Sequence, residues 1–597
     1  MDSTNRNTAL ASAMVEEFAR CGVRHAAVSP GSRSTPLAVA LWRQPAIEVQ
    51  VVLDERSAAF FALGTALSTR VPAIALCTSG SAAAHFHPAV AEADEASVPL
   101  IVLTADRPPE LRGIGAGQTI DQLKLYGDAV RWFSELGNHE ADDDGLLHFR
   151  SVACRAYAAS RGEPRPGPVH LNVPFRDPLA PVPVEGAVTA TDPLALEGRG
   201  ERPLSAVIRA AQAPDPALLD ELAARIASVP QGLVVAGRQP DEELAERLCA
   251  LADAAGYPVL AEPTSQLRWG PQPHSMSVPG YDLIARARPE QLEPALVLRF
   301  GDMPTSKALR KWLSAIAGLR QIVVDPDGDW KEPTRRAEML VRADPATLAA
   351  GLTERLKAGA EARRTSPPPA SGETGGAPAW LERWLEAQRR LAAGVGDELG
   401  CLAEASEPGV WPALAGVLRD GDNVLAASSM PVRDQETFMP PGRARVRFVS
   451  NRGANGIDGL VSTAAGVARG SGGRTWAVLG DLALAHDLGG LATAARVPGV
   501  RLIVLDNGGG GIFHFLPQAE ELPLDEFEHL LGTPSGLDLE AAFGLFGIEA
   551  VRVESSSSLS DALAADARAI VVTLDRRRNL ALHQQIADRA ALALNRA

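Results

Sequence analysis

The chain of 597 residues has only five cysteines, Cys21, Cys77, Cys154, Cys249 and Cys401, and no CxxC pair. An odd number excludes a fully paired disulfide framework, and the scatter excludes the usual zinc-ligand spacings. Small apolar core residues in a reducing compartment are the expectation. Basic charge is also short. Lys and Arg total 58 against 73 Asp and Glu, a net charge of −15. That balance excludes the basic face needed for nonspecific nucleic-acid binding, although it leaves room for a local basic pocket. No apolar run reaches the roughly 18 residues that a membrane span requires. The opening stretch, MDSTNRNTALASAMVEEFARCGV, has acids inside its apolar run. It reads as an amphipathic helix, not a signal peptide, so a cytoplasmic enzyme is expected. There is no solenoid-type repeat, and no GxGxxG follows a strand in the middle of the chain.

What is present is alternation. HAAVSPGS, VQVVLDE, VPAIALCTSGS, VPLIVLTADRP and GPVHLNVPF are short apolar runs with helical stretches between them. Buried strands alternating with helices predict a parallel sheet covered on both faces, with functional loops beyond the carboxyl ends of the strands. The pattern recurs in GLVVAGRQP, YPVLAEP, ALVLRFGD and RQIVVDPDG, and again in NVLAASS, VRFVSNRG, TWAVLGD, VRLIVLDNGG and AIVVTLD. The expected architecture is therefore three α/β domains with parallel sheets: residues 1–185, 186–358 and 379–597. A polar, flexible linker is expected over residues 359–378, and a shorter one near residues 185–215.

The most informative stretch runs from Gly480 to Asn507. Gly480-Asp481 closes the strand TWAVLGD, and Asn507 closes VRLIVLDN, with a helix, HDLGGLATAARVPG, expected between them. A carboxylate and an amide oxygen at neighbouring strand ends suit Mg²⁺, which prefers hard oxygen ligands and shares its coordination with phosphate. Gly508 to Gly511 let the backbone come close, so that a carbonyl can add a ligand. The positive end of the helix after Asp481 favours a diphosphate. Taken alone, Asp481 also reads as a helix N-cap and Asn507 as a turn residue.

A GD followed about 26 residues later by N resembles the signature of thiamine-diphosphate enzymes. That resemblance implies Mg²⁺ (with Mn²⁺ as an alternative ion) on Asp481, Asn507 and the carbonyl of Gly509. It places Gly480, Ile512 and Phe513 against the cofactor. Thiamine chemistry needs a carbanion at C2 of the thiazolium ring, which a glutamate on the aminopyrimidine promotes. Glu55, in VQVVLDERSAAFFALGTAL, falls where the family has this catalytic glutamate; by itself it reads as a first-turn helix acid. Ile457, after Gly456, matches the apolar wedge beneath the bent cofactor, and Gln118 in GAGQTIDQ matches a residue near cofactor and substrate.

Three further motifs narrow the resemblance to the 2-succinyl-5-enolpyruvyl-6-hydroxy-3-cyclohexene-1-carboxylate synthase family. They are SPGSRSTP (Ser29 to Pro36), SMPVR (Ser429 to Arg433) and SNRGANGID (Ser450 to Asp458). Members act in menaquinone biosynthesis. The resemblance implies decarboxylation of 2-oxoglutarate on thiamine diphosphate and addition of the succinyl unit to isochorismate. Both substrates carry two carboxylates, for which arginine offers planar bidentate donors. Ser32, Arg33, Gln118, Lys307, Ser429, Arg433, Arg452 and Leu516 are the implied substrate residues. Where the family can show a second basic residue after Lys307, this chain has Ala308, with Arg310 as the nearby substitute. A homodimer or homotetramer with the active site between chains is also implied. Two rivals stand beside this reading. One is an acetolactate-synthase-like enzyme or simple 2-oxo acid decarboxylase, which needs Glu55, Asp481 and Asn507 but not the arginines. The other is a catalytically silent binding protein on the same fold.

Overall fold

The computed structural model describes residues 2–162, 165–239, 243–365 and 376–595. Its seventeen strands form three sheets, as the alternating pattern predicts. The first contains β1 (His25–Val28), β2 (Glu48–Val51), β3 (Ala73–Cys77), β4 (Leu100–Asp106), β5 (Trp132–Glu135) and β6 (Pro168–Pro174), in the order β2-β1-β3-β4-β6-β5. All its pairings are parallel. Strands β3, β4 and β6 are buried along their whole length, which is why they read as unbroken apolar runs.

The second sheet has β7 (Gly232–Ala236), β8 (Val259–Ala261), β9 (Leu296–Phe300), β10 (Arg320–Val324) and β11 (Ala337–Val341), in the parallel order β11-β10-β9-β7-β8. The third has β12 (Asn423–Ala426), β13 (Arg447–Val449), β14 (Thr475–Gly480), β15 (Val500–Asp506), β16 (Ala550–Val553) and β17 (Ala569–Thr573), in the order β13-β12-β14-β15-β17-β16. The first and third sheets have six strands each and the same pattern of crossovers. Reversals of strand order, where ligand crevices form in such sheets, lie beside β1 and β3 in one and beside β12 and β14 in the other.

By contact the chain forms two compact units. One holds residues 1–209, 451–477 and 483–500; the other holds 210–450, 478–482 and 501–597. Within the first unit, helix Glu55–Thr69 packs along helix Leu460–Ser471. Glycines allow this approach: a Cβ on Gly64 would stand 2.1 Å from the Thr463 carbonyl oxygen, and one on Gly466 would stand 2.0 Å from that of Phe61. The opening helix, Arg6–Cys21, begins on Asn5, whose side chain accepts from the Thr8 N–H, and ends on Gly22 in the left-handed region. It is buried almost all round, more than an amphipathic surface helix would be.

Several expectations need adjustment. The ends of the stretch 359–378 are helical, since helices span Pro345–Thr365 and Gly376–Gly400; residues 366–375 lie outside the described residues. In the stretch near 185–215, helix Pro193–Glu197 forms, and the Leu204 N–H donates to Glu17. The single helix expected after Asp481 is two short ones, Asp481–His486 and Gly490–Ala494. Asp487 sits at the break, fully buried, its carboxylate accepting from the Ser462 N–H and from the hydroxyls of Ser462 and Ser57. All five thiols are free, but only Cys77 and Cys154 are buried; Cys21 and Cys249 are partly exposed and Cys401 is exposed. The Cys21 and Cys154 sulfurs lie 3.9 Å apart.

Candidate active site

The predicted residues are divided between the two compact units. In the first, they gather on loops at the carboxyl ends of the first sheet. The Ser29–Ser34 loop follows β1 and lies against the loop after β3: a Cβ on Gly31 would stand 2.3 Å from Thr78 Cβ, so only glycine fits. The Ser29 hydroxyl is buried with no partner among the described residues. Arg33 donates to the Phe175 carbonyl at 2.8 Å and lies 3.7 Å from Asp177, while its Nε is buried without a partner. Burial, and then the neighbouring Arg107, hold the Arg33 guanidinium below its ordinary value. Ser32 is exposed beside it.

Glu55 opens helix Glu55–Thr69 directly after β2, with Asp54 as N-cap accepting from the Ser57 N–H. It is half-buried and close enough to Cys77 for its carboxylate, after burial itself, to raise that thiol. Gln118 has φ +57° and donates to the Ser79 carbonyl at 3.0 Å, while its own carbonyl accepts from the Ser79 hydroxyl. Gly80, at φ +84°, makes room for it. Arg107 has no role in the sequence reading. It closes this cluster, donating to the Ser79 hydroxyl at 2.7 Å and to the Gly117 carbonyl at 3.1 Å. Its position after β4, in TADRP, was the available signal. The loop carrying Arg452 and Ile457 is anchored by buried Glu92, which accepts from the N–H groups of Gly453 and Ala454 at 2.8 and 2.7 Å. Ile457 is half-buried.

The second unit holds the candidate oxygen ligands. Asp481 follows Gly480 at the end of β14 and is buried; its Oδ2 has no hydrogen-bond partner among the described residues. Burial pushes its carboxyl up to about 6, with Asp506 adding to the rise. Asn507 follows β15. Its Nδ2 donates to Glu407 Oε1 at 2.8 Å, while its Oδ1 is buried and unpartnered. Gly508 and Gly509 have φ of +73° and +138°, and the Gly509 carbonyl accepts from the Gly511 N–H at 2.9 Å, leaving it a second lone pair. Two orphaned buried oxygens are costly unless something electropositive occupies the space before them. Among the described residues no group of three His, Cys, Asp or Glu is arranged to hold a metal. The donors that could hold a cation here are one carboxylate, one amide and a backbone carbonyl, hard oxygens that would suit Mg²⁺ with phosphate completing the shell.

Beyond Asn507, Ile512 and Phe513 lie in the short 3-10 helix Gly511–Phe515 and Leu516 just after it, all half-buried. Ser429 has φ +77° and caps helix Met430–Phe438; Arg433, one turn on, donates to the Ser429 carbonyl. Lys307 is the exposed first residue of helix Lys307–Ala315, where its N-cap Ser306 donates to buried Asp282 at 2.5 Å. Asp282 also accepts from Thr437 at 3.1 Å, so one carboxylate links the helix of Lys307 to that of Arg433. Arg310 is exposed on the same helix as Lys307.

Donors of this kind, a carboxylate, an amide and a carbonyl with phosphate left to complete the shell, would suit a metal that arrives with a diphosphate. With a glutamate opening a helix at a strand end of a second parallel sheet, the class is that of thiamine-diphosphate enzymes. Residues 8–125 match the thiamine pyrophosphate enzyme N-terminal TPP binding domain. Relatives named 2-succinyl-5-enolpyruvyl-6-hydroxy-3-cyclohexene-1-carboxylate synthase match almost end to end. That of Myxococcus xanthus is 40% identical, covering 99% of this chain and 98% of the relative. That of Natronomonas pharaonis is 43% identical over 93% and 92%, and that of Bacillus velezensis 39% over 91% and 90%. The chain belongs to the family of these synthases.

Proposed function

We propose that the protein decarboxylates 2-oxoglutarate with thiamine diphosphate and joins the remaining succinyl unit to isochorismate by 1,4-addition, a step of menaquinone biosynthesis. The observation that carries this reading is the near-complete likeness to synthases of that name, on a chain that keeps Glu55, Asp481 and Asn507. Asp481, Asn507 and the Gly509 carbonyl hold Mg²⁺ or Mn²⁺, and through it the diphosphate. Gly480, Ile512 and Phe513 would line the cofactor on the same unit, and Ile457 would give it an apolar support. When bound, thiamine diphosphate supplies the electron sink for loss of carbon dioxide.

The chain's own residues supply the rest. Glu55 holds a proton at the aminopyrimidine, the contact that activates the cofactor. Arg33, Arg433, Arg452 and Lys307 bind the carboxylates of the two substrates, and Ser32, Ser429 and Gln118 donate hydrogen bonds that fix their orientation. Leu516 gives an apolar wall. Arg107, held beside Arg33, adds a cation to the same cluster. The active unit is a homodimer, or a homotetramer built from it, in which Glu55 of one chain serves the cofactor held by its partner. A cytoplasmic location suits small, water-soluble substrates, and no described helix is long and apolar enough to cross a membrane.

The test is consumption of 2-oxoglutarate with and without isochorismate, thiamine diphosphate and Mg²⁺. Wild type requires all of them for product formation, and Glu55→Gln lowers turnover by about 10²–10⁴-fold, the usual weight of a positioned proton-transfer group. Free succinic semialdehyde as the main product, or acetolactate when pyruvate is supplied instead, would favour the rival decarboxylase reading.

A further inference from the structure

Asn507 presents two chemically different ends. Only Oδ1 can bind a cation, yet the amide's terminal torsion is broad and nearly two-fold, so the side chain alone has little reason to choose. Its surroundings choose for it. Glu407 is the first residue of helix Glu407–Ala415, exactly one hundred positions earlier in the chain, and is wholly buried. Its Oε1 accepts from Asn507 Nδ2 at 2.8 Å, and its Oε2 has no hydrogen-bond partner among the described residues. On another side, Gly511 leaves the amide room: a Cβ there would stand 2.7 Å from the same Nδ2. A flipped amide would set its oxygen against the Glu407 oxygen and turn its NH₂ toward the cation. Both changes are unfavourable.

We propose that Glu407 is a positioning residue of the cation site, fixing the Asn507 amide so that Oδ1, and not Nδ2, faces the metal. This rests on the reading of Asp481, Asn507 and Gly509 as the Mg²⁺ ligands. It adds a residue from a distant segment that bonds Asn507 and also lies near enough to Asp434 and Asp481 to interact with their charges. Outer-shell partners of this kind are worth about 10–100-fold in metal affinity.

The experiment measures thiamine diphosphate binding to the full-length protein by equilibrium dialysis at graded Mg²⁺ concentrations, with no substrate present. Glu407→Leu weakens the apparent Mg²⁺ affinity by about 10–100-fold, whereas Glu407→Gln, which can still offer an oxygen to Nδ2, stays near wild type. Glu407→Met, close in shape, is the second non-accepting variant should Leu impair folding. The decisive readout is Asn507→Asp. A carboxylate has two equivalent oxygens and needs no orienting partner, so in the Glu407→Leu background it recovers most of the lost affinity. In the wild-type background it places like charges together and weakens binding. If Glu407→Leu and Glu407→Met bind as wild type does, or if Asn507→Asp restores nothing, the positioning role is wrong. Equal losses in Gln and Leu would likewise overturn it, because charge and not orientation would then be at work. Asp481→Ala in the same titration separates the two readings: if it leaves Mg²⁺-dependent binding intact, the cation site itself is misplaced.

Discussion

Asp481 and Asn507 share a property that few surface-loop residues have: each keeps a buried oxygen with no hydrogen bond among the described residues. On the proposed reading, a bound cation would offset the cost of that arrangement. The surrounding glycines serve it too, and Gly511 gives the sharpest test among them. Gly511→Ala brings a methyl within 2.7 Å of Asn507 Nδ2, so the amide must shift. Mg²⁺-dependent retention of thiamine diphosphate, measured by dialysis, should fall, with the fold measured by circular dichroism unchanged. Much of this candidate site is legible from sequence because its proposed ligands sit at strand ends, where an apolar run stops at Gly480-Asp481 and at Asn507. Glu55 is legible for the same reason. Glu407 is not, since an acid beginning a helix after Ser406 reads as an ordinary first-turn residue, and its partner lies far along the chain. Arg107 was within reach, at the end of a strand, but nothing in its own segment marks it as neighbouring Arg33.

Elements explain why those residues stay where they are. Helix Glu55–Thr69 carries Glu55 at its first turn and is held along helix Leu460–Ser471 by glycine contacts that bring backbone against backbone. Gly64→Ala forces a Cβ to 2.1 Å from the Thr463 carbonyl. It should destabilise the protein by about 1–3 kcal/mol, the usual cost of overpacking, as read in urea unfolding. An unchanged midpoint would mean that the helices separate at no cost. The central strands are the most legible elements, because burial along their whole length writes them as nearly continuous apolar runs. The crossover after Asp481 was harder. Gly489-Gly490 already weaken a helix there, and the Asp487 carboxylate is taken up by Ser57 and Ser462, a tertiary contact that local sequence does not carry.

For the molecule as a whole, buried carboxylates set the response to pH. Burial, and then Glu262 and Asp282, push Glu436 up to about 8 from an ordinary 4.5. The folded state therefore holds this proton more tightly than the unfolded chain. Its contribution is fully present below about pH 4.5 and is lost as pH rises toward 8. Urea unfolding should show wild type losing stability over that window relative to Glu436→Gln, which has no proton to release; parallel curves would contradict the assignment. Assembly is tested by mixing. Glu55→Gln and Asp481→Asn chains, each inactive alone, should regain about a quarter of wild-type turnover after subunit exchange, since half the dimers are mixed and each mixed dimer has one intact site. No recovery despite exchange would place both residues in a site made by one chain. The most direct measurement is mass spectrometry of the product made from carbon-labelled 2-oxoglutarate and unlabelled isochorismate with Mg²⁺ and thiamine diphosphate. The account predicts loss of one labelled carbon as carbon dioxide and an adduct that retains the other four on the cyclohexene ring. Label found only in succinic semialdehyde, with isochorismate untouched, would contradict it.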